Sequence, residues 1–283
     1  MTQPFCSRMG RIGYLNVLPI YHALESGAIA HGYELVYGPP AELNRRMEAG
    51  ELLAASTSCV EYARRPECYF LLKNLAIASN GPVQSVLLLS QEPIDALCGK
   101  RILVSAETHT SASLLRLLFT QRFHLKDVQY FTGSATEMAA SGNPPTAFLA
   151  IGDEALRLRK HPLYPYTLDL GEAWREWTGL PFVFGVWVAK RAAFANGAKL
   201  PGELAHPGRL LSDSRDWGLA HMDVILNIAV QNYPNMSRAE HADYFAGLCY
   251  DLGEREQEGL RLFWRKLAES GEIPRAPDLV FLP

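Results

Sequence analysis

Thr146-Ala147-Phe148-Leu149-Ala150-Ile151-Gly152-Asp153-Glu154-Ala155-Leu156 reads as a buried strand that runs into a helix through a small polar step. Within the strand Thr146–Ile151, Ala147–Ile151 is an unbroken apolar run. Gly152-Asp153 then supplies the residue types that start helices. The same arrangement recurs three times: Asn16 follows Arg11–Leu15, Ser58 follows Leu52–Ala55, and Thr110-Ser111 follows Arg101–Ser105. Between these junctions lie further strand-like runs at Tyr33–Tyr37, Tyr69–Ile77, Ser85–Leu89 and Val128–Phe131. Helical stretches fall at Ile20–Ser26, Ala41–Ala49, Ser111–Arg122 and Ala135–Ala140. Alternating strands and helices predict an α/β fold with parallel sheets and helices on both faces.

After a strand at Val183–Ala189 the pattern turns helical. Asp216–Gln231, Ser237–Cys249 and Glu254–Ser270 carry apolar residues at three- and four-residue spacing, and Ser237 with Glu240 fits a capping box. A helical tail after two α/β stretches predicts that the chain returns to cover its first lobe. The crossovers are expected near Ser85–Leu89 and Val183–Val188. That gives a discontinuous first lobe, residues 1–88 plus 186–283, and a second lobe, residues 89–185.

The chain has 283 residues, which at about 150 per domain agrees with two lobes. Lys and Arg total 27 against 30 Asp and Glu, a net charge of −3, and no basic run appears. Neither a nucleic-acid nor a membrane-surface partner is expected. A small anionic ligand needs only a few local donors and stays compatible. No G-x-G-x-x-G, G-x-x-x-x-G-K-[ST] or H-E-x-x-H occurs, so no cofactor and no metal is expected. Five cysteines (Cys6, Cys59, Cys68, Cys98, Cys249) form no C-x-x-C pair, and Met1 to Arg11 has no apolar core. Both features point to reduced thiols in a cytoplasmic protein.

The four junctions carry the chemistry. In a parallel sheet they lie at the carboxyl ends of strands, where open α/β folds bind ligands. Helix starts there offer free N–H groups and a partial positive charge, worth about 0.3–1 kcal/mol to a nearby anion. Each polar residue also has a plainer reading as an ordinary N-cap. Thr110-Ser111 stands out because two hydroxyls adjoin, and Asn16 because a carboxamide both donates and accepts. Asp153 fits a cap better than an anion site. Ser85, in Gly81-Pro82-Val83-Gln84-Ser85, starts an apolar strand and either faces a cleft or satisfies a backbone group. Without a G-x-S-x-G elbow it is not a hydrolase nucleophile. His22 and His109 flank these positions, where packed or solvated histidines are commoner than bases. Trp174, Trp177, Phe182, Phe184 and Trp187 are expected to build core between the lobes.

Six blocks in order resemble the chorismate dehydratases of the futalosine route to menaquinone. They are Tyr14-Leu15-Asn16 with Pro19, Ser58 with Glu61-Tyr62-Ala63, Gly81-Pro82-Val83-x-Ser85-Val86, Thr110-Ser111-x-x-Leu114-Leu115, Gly152-Asp153-Glu154-Ala155-Leu156, and Trp174-x-x-x-Thr178-Gly179-Leu180-Pro181-Phe182-Val183-Phe184. The likeness covers about residues 11 to 190 closely and the tail loosely. Leu53 departs from it, where the family often has Asp. The resemblance implies a two-lobed periplasmic-binding-protein-like fold of type II, with the ligand cleft between the lobes. It implies a hydro-lyase that converts chorismate, its small-molecule partner, to 3-[(1-carboxyvinyl)oxy]benzoate and water. Asn16 and Ser85 are then the expected catalytic positions. Tyr14, Ser58, Thr110, Ser111, Gly152 and Asp153 are the expected substrate-binding ones. A non-catalytic small-anion binding protein on the same fold is the alternative. The sister enzyme that makes 1,4-dihydroxy-6-naphthoate tends to open with a C-P-N-D-T-like run, where this chain reads Tyr14-Leu15-Asn16-Val17-Leu18-Pro19.

Overall fold

Strands and helices alternate in the computed structural model, which describes residues 7–104, 109–197 and 204–283. Cys6 and Ser105 lie outside the described residues. The strands are β1 (Arg8–Ile12), β2 (Glu34–Gly38), β3 (Ala54–Ser58), β4 (Tyr69–Ser79), β5 (Val86–Ser90), β6 (Arg101–Val104), β7 (Gln129–Thr132), β8 (Ala147–Ile151), β9 (Tyr166–Asp169) and β10 (Phe182–Lys190). They form two five-stranded sheets, in the orders β2-β1-β3-β10-β4 and β7-β6-β8-β5-β9. The helices of the two α/β stretches are α1 (Leu18–Glu25), α2 (Pro40–Glu48), α3 (Cys59–Arg64), α4 (His109–Leu117), α5 (Ala135–Ala140), α6 (Gly152–Leu158) and α7 (Leu170–Thr178). The tail adds α8 (Pro207–Ala220), α9 (Met222–Asn232), α10 (Arg238–Ala246) and α11 (Glu254–Glu269).

The sheets are mixed, which corrects the expectation of purely parallel ones. β1 pairs in parallel with β2 and β3, and β6 with β7 and β8. The two strands that cross between lobes run the other way: β10 is antiparallel to β3 and β4, and β5 to β8 and β9. A βαβ unit brings its strand back in the same direction within one sheet, whereas each crossing strand follows a strand of the other sheet and so is not the return of such a unit. The crossings also come earlier than expected. β5 belongs wholly to the second sheet, and β10 re-enters the first at Phe182. Lobe boundaries at 80–85 and 179–181 are therefore proposed in place of 88/89 and 185/186.

The first link is held by Asp169, whose carboxylate accepts from the Val83 and Gln84 N–H groups at 3.0 and 2.7 Å. The same side chain caps α7 through Gly171 and Glu172 N–H, so link and helix share one anchor. The second link enters an aromatic pile. Trp174 is fully buried and meets Phe182 and Phe263 edge-on, with centroids 5.3 and 5.9 Å away. Such pairs add about 0.5–1.5 kcal/mol each beyond the area they bury. Phe184 and Trp187 turn instead to the cleft described below.

The tail packs on elements of the first sheet and its helices, but Asp216–Gln231 is not one helix. α8 starts earlier, at Pro207, and ends at Ala220, and α9 starts at Met222 across His221, whose φ and ψ (−119° and 43°) leave the helical region. α8 packs on α1 and β4, and α11 on β10. Buried Arg215 of α8 donates to the Asn74 carbonyl of β4 and pairs with Asp216 and Asp251. The Ser237–Glu240 capping box is formed at α10.

Candidate active site

One cleft collects the strand-to-helix junctions of both lobes. It encloses about 770 Å³ of space, its open mouth included. Tyr14, Asn16, Ser58, Ser85, Thr110, Ser111 and Gly152 all line it, with Ile77, Phe184 and Trp187 among its apolar walls. Trp187 is locked by its indole N–H donating to the Tyr21 hydroxyl at 2.9 Å. Among the described lining residues there is no Asp, Glu, Lys or Arg, and His109 is the one imidazole.

The three best-defined hydroxyls have their acceptor side occupied by the protein. Ser58 caps α3 by accepting from Glu61 N–H at 3.1 Å. Thr110 Oγ1, at the start of α4, accepts from Val60 N–H at 3.4 Å, so each lobe's hydroxyl serves the α3 start. Ser85 Oγ accepts from the buried Tyr244 hydroxyl at 3.1 Å and itself has only a long contact, 3.4 Å, to the Val83 carbonyl. Burial pushes the Tyr244 phenol well above its ordinary pKa, so it stays protonated and able to donate. A hydroxyl whose lone pair already receives a proton has its own O–H to offer. The cleft thus presents neutral donors, which suit a carboxylate ligand without burying a counter-charge.

Asn16 lies in a one-turn 3-10 helix, Leu15–Val17, rather than at the cap of α1 as expected, because β1 ends earlier, at Ile12. Its carboxamide oxygen is buried and makes no hydrogen bond. An unpaired buried acceptor costs about 1–3 kcal/mol, which a ligand donor would recover. Gly152 supplies wall rather than a donor, since its N–H is given to the Ser85 carbonyl at 2.7 Å. Asp153 does not line the cleft. It faces a separate depression beside Tyr233 and Asn235, bonded to Leu15 N–H and the Tyr233 hydroxyl. Asp153 does not cap its own helix α6, and its carboxylate serves the Leu15 turn instead.

His109 does reach the cleft, whereas His22 packs on Trp217 with centroids 5.8 Å apart. Burial, and then the Arg64 guanidinium, lower the His109 pKa, which keeps the imidazole neutral at neutral pH. Sequence reading missed Ser56 and Thr57, which line the cleft, with Ser56 Oγ buried and making no hydrogen bond. Moving the strand from Leu52–Ala55 to Ala54–Ser58 would have found Ser56, which shares a face with Ser58 by the period of two. Tyr244 had no local signal.

Gly152 has a φ of +52°, and a Cβ there would lie 3.0 Å from Tyr14 Cδ1. Gly152→Ala is expected to cost about 1–2 kcal/mol from the left-handed backbone alone. A thermal melt should show a lower midpoint, and an unchanged midpoint would contradict this reading.

A family model described as menaquinone biosynthesis matches residues 7–269. The chorismate dehydratase of Thermus thermophilus is 29% identical over 287 aligned positions, covering 95% of this chain and 96% of that protein. The 1,4-dihydroxy-6-naphtoate synthase of the same organism is 28% identical over 262, covering 89% of each. The periplasmic aliphatic sulphonate binding protein of Escherichia coli superposes with a TM-score of 0.65 at 14% identity, covering 98% of this chain and 96% of that one. That last likeness shows the fold alone, two lobes around a cleft. The match over residues 7–269 shows more: the chain belongs to the menaquinone biosynthesis family.

Proposed function

We propose that the protein is a chorismate dehydratase. The observation that carries this reading is the uncharged cleft whose hydroxyls at Ser58, Ser85 and Thr110 accept from the protein, with only long contacts for the O–H of Ser85 (3.4 Å to the Val83 carbonyl) and of Thr110 (3.5 Å to Cys59 Sγ). Chorismate brings two carboxylates and matches such a lining. The similarity to the Thermus thermophilus enzyme along nearly the whole chain supports the same substrate.

The reaction follows from the substrate. The C3 hydrogen is acidified through the ring double bond by the ring carboxylate, and C4 carries the hydroxyl that leaves. The proton from C3 and the hydroxide from C4 depart as one water, and the ring becomes aromatic. The protein has to fix geometry and stabilise developing charge. Ser85, Thr110 and Ser111 hold carboxylates, with Ser58 as a further donor, and Tyr14 with Gly152 shapes the wall. Asn16 accepts from the C4 hydroxyl and donates to the oxygen as it leaves. No described cleft residue is a carboxylate, so the side-chain carboxylate of the substrate itself takes the C3 proton. A cytoplasmic location belongs to this reading, and the four described cysteines are free thiols.

Ser85→Ala removes one hydrogen bond to a charged group, worth about 1.5–3 kcal/mol. A fall of roughly ten- to a hundredfold in kcat/KM for chorismate is expected. A value within twofold of wild type would remove Ser85 from the carboxylate site. The test of the activity is mass and ultraviolet analysis of chorismate incubated with the purified protein. A product lighter by one water with aromatic absorbance supports the proposal. Chorismate that binds and is recovered unchanged would instead make this a non-catalytic anion-binding protein.

A further inference from the structure

The turn that carries Asn16 lacks a cap of its own. Tyr14 occupies the N-cap position of the Leu15–Val17 turn and its side chain makes no capping bond. The missing partner comes from the other lobe: Asp153 Oδ1 accepts from Leu15 N–H at 3.2 Å. Asp153 is the second residue of α6, yet it does not cap that helix, whose N-cap Ile151 also has no side-chain bond. Its second oxygen, Oδ2, accepts from the Tyr233 hydroxyl at 2.9 Å, and Tyr233 closes α9 in the tail. One carboxylate therefore joins three parts of the chain at the turn beside the cleft. Nearby, Lys160 and Arg159, just past α6, meet Glu240 of α10 at 2.6 and 3.4 Å, so the same edge of the second lobe is tied to the tail twice.

We infer that Asp153 is a positioning residue for the dehydration. It completes the start of the Asn16 turn from across the lobe boundary, so that the carboxamide reaches its working position only when the two lobes are together. An uncapped single turn has few bonds to hold its conformation, and a side-chain acceptor at its first N–H is what fixes it. Tyr233 holds the carboxylate in the orientation that reaches Leu15. This inference rests on the proposed role of Asn16 in chorismate turnover, and it assigns Asp153 no contact with substrate.

The test is a double-mutant cycle read in kcat and KM for chorismate. Asp153→Ala should lower kcat about tenfold, the size of one lost cap carried into the transition state, and leave KM within about twofold. Asp153→Asn keeps an acceptor for Leu15 N–H and should recover most of that loss. In an Asn16→Ala background, Asp153→Ala should lower kcat no further, because the group it positions is gone. A tenfold rise in KM at unchanged kcat would overturn the inference by making Asp153 a substrate contact. Equal losses in the presence and absence of Asn16 would overturn it by making Asp153 a general support of the fold. Should Asp153→Ala fail to fold, Tyr233→Phe answers the same question, with a kcat loss of about threefold that vanishes in the Asn16→Ala background. An unchanged kcat in Tyr233→Phe would then count against it. If Asn16→Ala alone keeps wild-type kcat, the proposed role of Asn16 fails first and this inference fails with it. A strongly slowed but measurable Asn16→Ala with additive Asp153 variants leaves that role standing and removes only the inference.

Discussion

Asn16→Ala is expected to lower kcat for chorismate dehydration about a hundred- to a thousandfold, the cost of removing one preorganised group from an oxyanion-type site. The thermal midpoint should hold. Asn16 Oδ1 makes no bond within the protein, so truncation breaks no internal contact of that atom. What it removes is a group able to accept from the C4 hydroxyl and donate to the same oxygen as it departs. KM should change less than kcat, because the carboxylates are held by other residues. Asn16→Asp should not rescue, since a carboxylate cannot donate to the leaving oxygen. Steady-state kinetics on folded variants checks this, and a wild-type kcat in Asn16→Ala would remove the residue from the mechanism.

Gly218→Ala is expected to destabilise the protein by about 3 kcal/mol, at the upper end of overpacking penalties. Gly218 lies in α8 where its backbone rests directly on α1: a Cβ would fall 2.0 Å from the Pro19 carbonyl oxygen and 2.9 Å from Pro19 Cα. Neither is a side chain that can swing aside, so the helices must separate. For a chain of this size such a loss corresponds to a drop of about 6–12 °C in the melting midpoint. Differential scanning calorimetry measures it, and a midpoint unchanged from wild type would show that α8 and α1 yield without cost. The effect bears on the site because the tail carries Tyr233 and Tyr244, which reach Asp153 and Ser85.

The alternation that predicted an α/β fold was legible because Ala147–Ile151 and its counterparts are short apolar runs with polar steps after them. Strand direction was not. Nothing in Val86–Ser90 or Phe182–Lys190 marks them as antiparallel, since direction is set by how the chain crosses between sheets. The break at His221 was hidden by apolar spacing that continues through it.

Cleft residues were legible where they coincide with strand ends, as at Asn16, Ser58 and Thr110. Tyr244 and Tyr233 were not, because each reaches its partner from 80 or more positions away. The partner of Asp153 was hidden for a related reason: its position at a helix start was readable, but the turn whose N–H it accepts from lies in the other lobe.

Whether chorismate loses water in this cleft is read from the structure of the protein with its product bound. The aromatic ring is expected against Trp187 and Phe184, with the two carboxylates at the hydroxyls of Ser85 and Thr110-Ser111 and the former C4 edge facing Asn16. A product lodged elsewhere, or turned so that both carboxylates face solvent and Asn16 is out of reach, would contradict it.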